Sequence, residues 1–108
     1  MERSSFCQLW LTCADKKEAD KIANTLLVKR LIVCAKQIPV SAEYWWQDKI
    51  ERTNEVLLIM ESGIDLFDKI EAEVAKLHSY ETFVLEATPL SKISNKAAVW
   101  LKSELKNE

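Results

Sequence analysis

Ser41-Ala42-Glu43-Tyr44-Trp45-Trp46-Gln47-Asp48-Lys49-Ile50-Glu51 leads, through Arg52 to Glu55, into Val56-Leu57-Leu58-Ile59-Met60. Strand-forming runs flank the polar tip Gln47-Asp48-Lys49, so the segment reads as a hairpin with arms Ser41 to Trp46 and Ile50 to Met60. These arms are long for a chain of 108 residues. Upstream, Leu31 to Gln37 is a strand candidate. Pro39 interrupts it, since proline cannot donate to a ladder, and the strand resumes beyond the break.

Working outward, Phe6 to Cys13 reads as a strand. Asp15 with Glu18 three residues later marks a helix start. Ala19, Ile22, Ala23, Leu26 and Leu27 recur at helical spacing as far as Arg30, with Lys16, Lys17, Lys21 and Lys29 as the solvated face. On the other side, Ser62 and Asp65 form a capping signature before the apolar stripe Leu66, Ile70, Val74 and Leu77. Phe83 to Ala87 reads as a short strand closed by Thr88-Pro89, and Ser94 caps a last helix carrying Ala97, Ala98, Leu101 and Leu105.

The order is βαββαβ with a C-terminal helix, in one domain spanning residues 1–108. Right-handed crossovers around a central hairpin give an α+β fold: an antiparallel four-stranded sheet with two helices on one face, the ferredoxin-like sandwich. The other sheet face then has no cover, and Trp45 and Trp46, adjacent on a strand, point to opposite faces. Partner subunits packing on that face, with the long hairpin reaching to a neighbour's sheet, make the chain an oligomer.

Composition narrows the function. The chain is 48% hydrophobic and 30% charged, ordinary for a globular protein. Fifteen basic and 17 acidic residues leave a net charge of −2, so the field that drives non-specific nucleic-acid binding is missing. The strand Glu55 to Glu61 carries no aromatic platform for RNA bases either. No apolar run is long enough to cross a bilayer. Cys7, Cys13 and Cys34 are odd in number and lack C-x-x-C spacing, and nothing at the N-terminus resembles a signal peptide, so the expected compartment is the reducing cytoplasm.

Several segments resemble one family. Thr12-Cys13-Ala14 is similar to a T-C-P or T-A-P turn, Lys29-Arg30-Leu31-Ile32-Val33-Cys34-Ala35 to K-R-L-A-A-C-V, and Tyr44 to Glu51 to Y-x-W-x-G-K-I-E. Ile38-Pro39, Glu55-Val56, His78-Ser79-Tyr80-Glu81 against H-P-Y-E, and Trp100 continue the match in order. The family is CutA, small trimeric proteins associated with divalent-cation tolerance and related in architecture to the PII signalling proteins. The resemblance implies a PII-like homotrimer, with Tyr44, Trp45, Trp46 and Trp100 expected at the trimer interface; no catalytic activity is expected. It places Trp46, Lys49, Tyr80 and Glu81 around an intersubunit cleft. Asp48, Ser79 and Ala97 depart from the family's usual glycine, proline and tyrosine, and Leu11 stands where a strand-end cysteine accompanies the copper site proposed for some members.

The metal expectation rests on few donors. His78 is the only histidine, and histidine, cysteine and carboxylate are the usual transition-metal ligands. His78, Glu81, Cys34 and Cys13 are therefore the candidate ligands for a divalent ion such as copper at intersubunit positions, an ion not required for folding. One histidine per chain does not complete a mononuclear site alone. The plainer readings are a helix-end histidine bonded to backbone, Cys34 as a small buried hydrophobe, and Lys49 with Glu81 as a rim ion pair. No nucleophile–base pair, catalytic carboxylate pair or phosphate cradle is found. The junction Thr12-Cys13-Ala14-Asp15 lacks the arginine an acylphosphatase would place there. The alternative function is a signalling or scaffold trimer that binds a protein partner or a small anionic metabolite, with Lys49 and backbone amides as the anion's partners.

Overall fold

The computed structural model describes residues 5–106. Strand β1 (Phe6–Cys13) alternates strictly, with Cys7, Leu9, Leu11 and Cys13 buried and their neighbours half-buried. Helix α1 (Lys16–Val28) follows, opened by a reciprocal cap: the Asp15 side chain accepts from the Glu18 amide at 2.8 Å, and Glu18 Oε2 accepts from the Ala14 amide at 2.7 Å. Ala19, Ile22, Ala23 and Leu26 form its buried stripe.

The expected strand from Leu31 begins later, at Cys34. Arg30 adopts a left-handed φ of 59°. Its amide donates to the Leu27 carbonyl at 3.0 Å, and the Leu31 amide donates to the Leu26 carbonyl at 2.9 Å. This is a Schellman stop, and the buried Leu31 and Leu26 supply its apolar contact. The apolar run that suggested a strand is thus partly a helix terminator.

β2 (Cys34–Trp46) and β3 (Lys49–Gly63) form the hairpin, paired without a break from Cys34↔Glu61 to Trp46↔Lys49. Pro39 does not interrupt it. The strand order β2-β3-β1-β4 puts β2 at an edge, where one side of the strand needs no ladder partner and proline is tolerated. Gln47 and Asp48 turn the chain with φ of 50° and 64°, the left-handed pair that a two-residue hairpin turn requires. An aspartate is among the non-glycine residues that tolerate it.

A single 3-10 turn (Ile64–Leu66) leads to α2 (Phe67–Leu77). The expected Ser62 cap is absent. Ser62 stays in β3, fully buried, and donates its hydroxyl to the Leu31 carbonyl at 2.6 Å. β4 (Leu85–Pro89) starts two residues after the expected Phe83 and extends through Thr88-Pro89, again on an edge strand. α3 (Asn95–Glu104) begins after Ser94, whose carbonyl, not its hydroxyl, takes the first helical bond from Ala98 at 2.9 Å. Below α3, Leu105 enters the core and the Lys106 amide donates to the Arg30 carbonyl at 2.8 Å.

The fold is the antiparallel α+β sandwich expected. One core joins Leu9, Leu11, Leu58 and Met60 of the sheet to Ile22, Leu26, Ile70 and Val74 of the helices. By register, Trp10, Ile38, Leu57 and Ile59 occupy the opposite face, where Ile38 is 45% exposed. The hairpin outruns the sheet. β1 pairs with β3 only from Val56 onward, so Val40–Trp46 and Lys49–Glu55 project as a two-stranded ribbon of roughly 23 Å at strand rise. The ribbon helps make the molecule 46 Å long against 26 and 21 Å in its other dimensions.

Candidate functional site

The end of β1, the start of α1 and the end of α2 meet at one point. His78 caps α2, its amide bonded to the Val74 carbonyl at 2.8 Å, and its side chain is fully buried. Nε2 lies 2.8 Å from the Thr12 carbonyl. A carbonyl only accepts, so that nitrogen carries the proton. Nδ1 is then free to accept from the Tyr80 amide, 3.0 Å away. The ring also stacks on Phe83 at 5.3 Å, just ahead of β4.

Glu18 is the second element. Its Oε1 accepts from the Ser79 amide and sits 3.6 Å from His78 Nδ1, while Oε2 serves the Ala14 amide. Burial alone would raise this carboxyl. The bonds from Ala14 and Ser79 outweigh it and hold the group below the usual carboxylate range. Cys13 completes the cluster, and one donor atom from each of Cys13, Glu18 and His78 lies within 4.8 Å of the others. Burial, then the carboxylates of Glu18, Asp15 and Glu55, push the Cys13 thiol up to about 12, so it stays protonated and a poor metal ligand at neutral pH.

The donor types suit a transition metal, but their lone pairs are engaged. A metal on His78 would have to displace the Tyr80 amide from Nδ1 or break the Thr12 bond at Nε2. It would also have to deprotonate Cys13 against three nearby carboxylates. The cluster fits a hydrogen-bonded junction that fixes residues 78–80 better than it fits a resident ion.

Beside this junction lies an open cleft of about 300 Å³, lined by Tyr44, Trp46, Ser79, Tyr80, Glu81 and Thr82. Tyr44 and Trp46 are alternate residues of β2 and share a face. Tyr80 spans to β3, its hydroxyl donating to Glu55 Oε2 at 2.6 Å. Burial and that bond raise the phenol pKa, keeping it neutral. Trp46 is 42% exposed.

The structure therefore gathers Trp46, Tyr80 and Glu81 in one cleft, with Tyr44 as a fourth wall. Lys49 faces Trp46 across the hairpin but does not line the cleft, and no ion pair joins it to Glu81 among the described residues. Cys13 and His78 come together. Cys34 does not join them within one chain: it pairs with Glu61, five positions along β3 from the Val56 opposite Cys13, or about 16 Å at strand rise. Its sulfur lies 3.5 Å from Lys36 Nζ. Trp45 is 72% exposed on the ribbon and Trp100 48% on α3. Sequence reasoning missed Glu18 and Glu55 as site residues. Glu18 announced itself only as a local cap, and its bond to Ser79 spans 61 positions.

The chain matches a family model described as CutA1 divalent ion tolerance protein over residues 7–104. The divalent-cation tolerance protein CutA of Pyrococcus horikoshii is 32% identical over 98 residues, 91% of this chain and 96% of that one. Human Protein CutA is 30% identical over 94 residues, covering 86% of this chain and 52% of the human one. Among solved structures, the Archaeoglobus fulgidus protein, described as a periplasmic divalent cation tolerance protein CutA, superposes with a TM-score of 0.92 at 28% identity, covering 94% of this chain and 99% of that chain. The match of sequence over nearly the whole chain, and of fold with it, places this protein in the CutA1 divalent ion tolerance family.

Proposed function

We propose that this chain acts as a non-catalytic, PII-like homotrimer in divalent-cation tolerance, meeting metal ions such as copper weakly at clefts between protomers. The projecting ribbon carries the reading. An isolated two-stranded hairpin is marginal in water, yet Trp45 and Ile50, opposite one another near its tip, are 72% and 59% exposed. Neighbouring subunits that cover the ribbon and the open sheet face supply what the single chain lacks. Trp45 and Trp100 are aromatic anchors in this arrangement, while Tyr44 and Trp46 border the cleft between protomers.

The metal contact is weak because Cys13 and His78 must first give up a proton or a hydrogen bond. Glu81 on the cleft rim and Cys34 on the open sheet face are the remaining donors, brought together from different protomers. A non-catalytic role agrees with a histidine whose two nitrogens both serve the backbone and a thiol held protonated. The described cysteines are all free, which fits the cytoplasm. Among the described residues no helix is long and apolar enough to cross a membrane. Calorimetric titration of Cu(II) into the metal-free protein, with light scattering on the same sample, tests the reading. Three chain masses, with copper binding weakened by Cys34→Ala or Glu81→Gln, are expected. A monomer, or copper binding lost only with His78→Ala, would overturn it.

A further inference from the structure

Building on the cleft reading above, we infer that the cleft at Tyr44, Trp46, Tyr80 and Glu81 is a site for a small organic cation, an alkylated or quaternary ammonium group, and not for an anion. Three of its six lining residues are aromatic, one is acidic and none is basic. Aromatic faces attract cations through their quadrupole, most strongly where water is partly excluded. The surrounding charge points the same way. Glu81 stands on the rim, Glu55 lies beneath the Tyr80 hydroxyl, and Glu51 faces Tyr44 across the hairpin. Glu18, bonded to the Ser79 amide, adds a further carboxylate, and Lys49, opposite Trp46, opposes them.

A bare divalent ion is a poorer fit to this cleft within one chain. Such an ion wants several converging oxygen or nitrogen donors. Glu81 is the one lining carboxylate, accompanied by the hydroxyls of Ser79 and Thr82 and the tyrosine phenols. A methylated ammonium needs no coordination sphere, only aromatic walls and a nearby negative charge. At about 300 Å³ the cleft is at the small end of ligand pockets, which suits a headgroup-sized molecule. The floor is fixed in advance: His78 and Glu18 hold the Tyr80 and Ser79 amides, and Glu55 holds the Tyr80 hydroxyl. Little ordering is left to oppose binding.

Choline and 3,3-dimethylbutan-1-ol have the same shape and differ by nitrogen for carbon, so calorimetry of both against the assembled protein isolates the charge. Choline is expected to bind saturably and about tenfold more tightly than the alcohol, the size of one or two cation–π contacts. Glu81→Gln, an exposed change that leaves the core untouched, is expected to weaken choline several-fold and leave the alcohol unchanged. Equal binding of both probes, indifference to Glu81→Gln, or tighter binding of inorganic phosphate than of choline would each overturn the inference. So would no binding of choline to a protein confirmed as a trimer, and that result leaves the trimer and copper reading standing. A monomer in the same light-scattering run counts against the trimer reading instead.

Discussion

The two faces of the sheet differ in how complete they are. On the helix side, Leu9, Leu11, Leu58 and Met60 are fully buried against α1 and α2 within one chain. On the other side and along the ribbon, Ile38, Trp46 and Ile50 are 45%, 42% and 59% exposed. The first surface is what one chain needs in order to fold. The second, under the trimer proposal, is what several chains share, so the same strands serve folding with one side and assembly with the other.

Substitutions on the two surfaces are expected to fail differently. Leu11→Ala removes a fully buried side chain and is expected to cost about 3 kcal/mol, read as a lowered denaturant midpoint at fixed protein concentration. An unchanged midpoint would mean that the helix-side core is not the folding core. Trp45→Ala is expected to leave the circular dichroism spectrum intact and to shift the assembly toward smaller species on dilution, by the 2 kcal/mol or more typical of an interface aromatic anchor. If it unfolds the chain instead, the ribbon belongs to the fold and the contrast between the two surfaces is lost.

Much of this contrast could be read from the sequence. Strict alternation in Phe6 to Cys13, helical spacing in Ala19 to Leu26 and the paired arms around Gln47-Asp48 are local patterns with a fixed period. The errors fell where tertiary structure overrides a local pattern. Leu31 looked like the start of a strand but ends a helix, because the signal was a left-handed Arg30 and not the usual glycine. Ser62 looked like a cap, but its hydroxyl goes to Leu31, 31 positions away. The cleft was legible through Trp46, Tyr80 and Glu81, carried by the family resemblance. Its support was not, since Glu18–Ser79 and Tyr80–Glu55 join segments that no spacing rule connects.

A smaller effect sharpens the account of the junction between core and cleft. Glu18 has its carboxyl held below the normal range in the folded chain, so it adds stability above the unfolded carboxylate value, about 4.3. That stability is lost as pH falls through its lower folded value. Glu18→Gln is expected to lower the midpoint at pH 7 by about 1–2 kcal/mol, and the gap should close as the pH drops below about 4. A gap that persists unchanged at low pH would show that the charge is not what stabilises the junction. The smallest effect belongs to the ribbon tip. Gln47→Asn with Asp48→Gly supplies residues suited to the left-handed turn and is expected to raise the thermal midpoint by a few degrees, about 1 kcal/mol. No change would place the tip under control of a neighbouring subunit.

The central claim is that the open face and ribbon are covered by copies of this chain. Sedimentation equilibrium on the purified protein, across a dilution series and beside Trp45→Ala, tests it most directly. The account predicts three chain masses for the natural sequence throughout the series, with dissociation of the variant at the low end. A natural chain that sediments as a folded monomer at every concentration would contradict it.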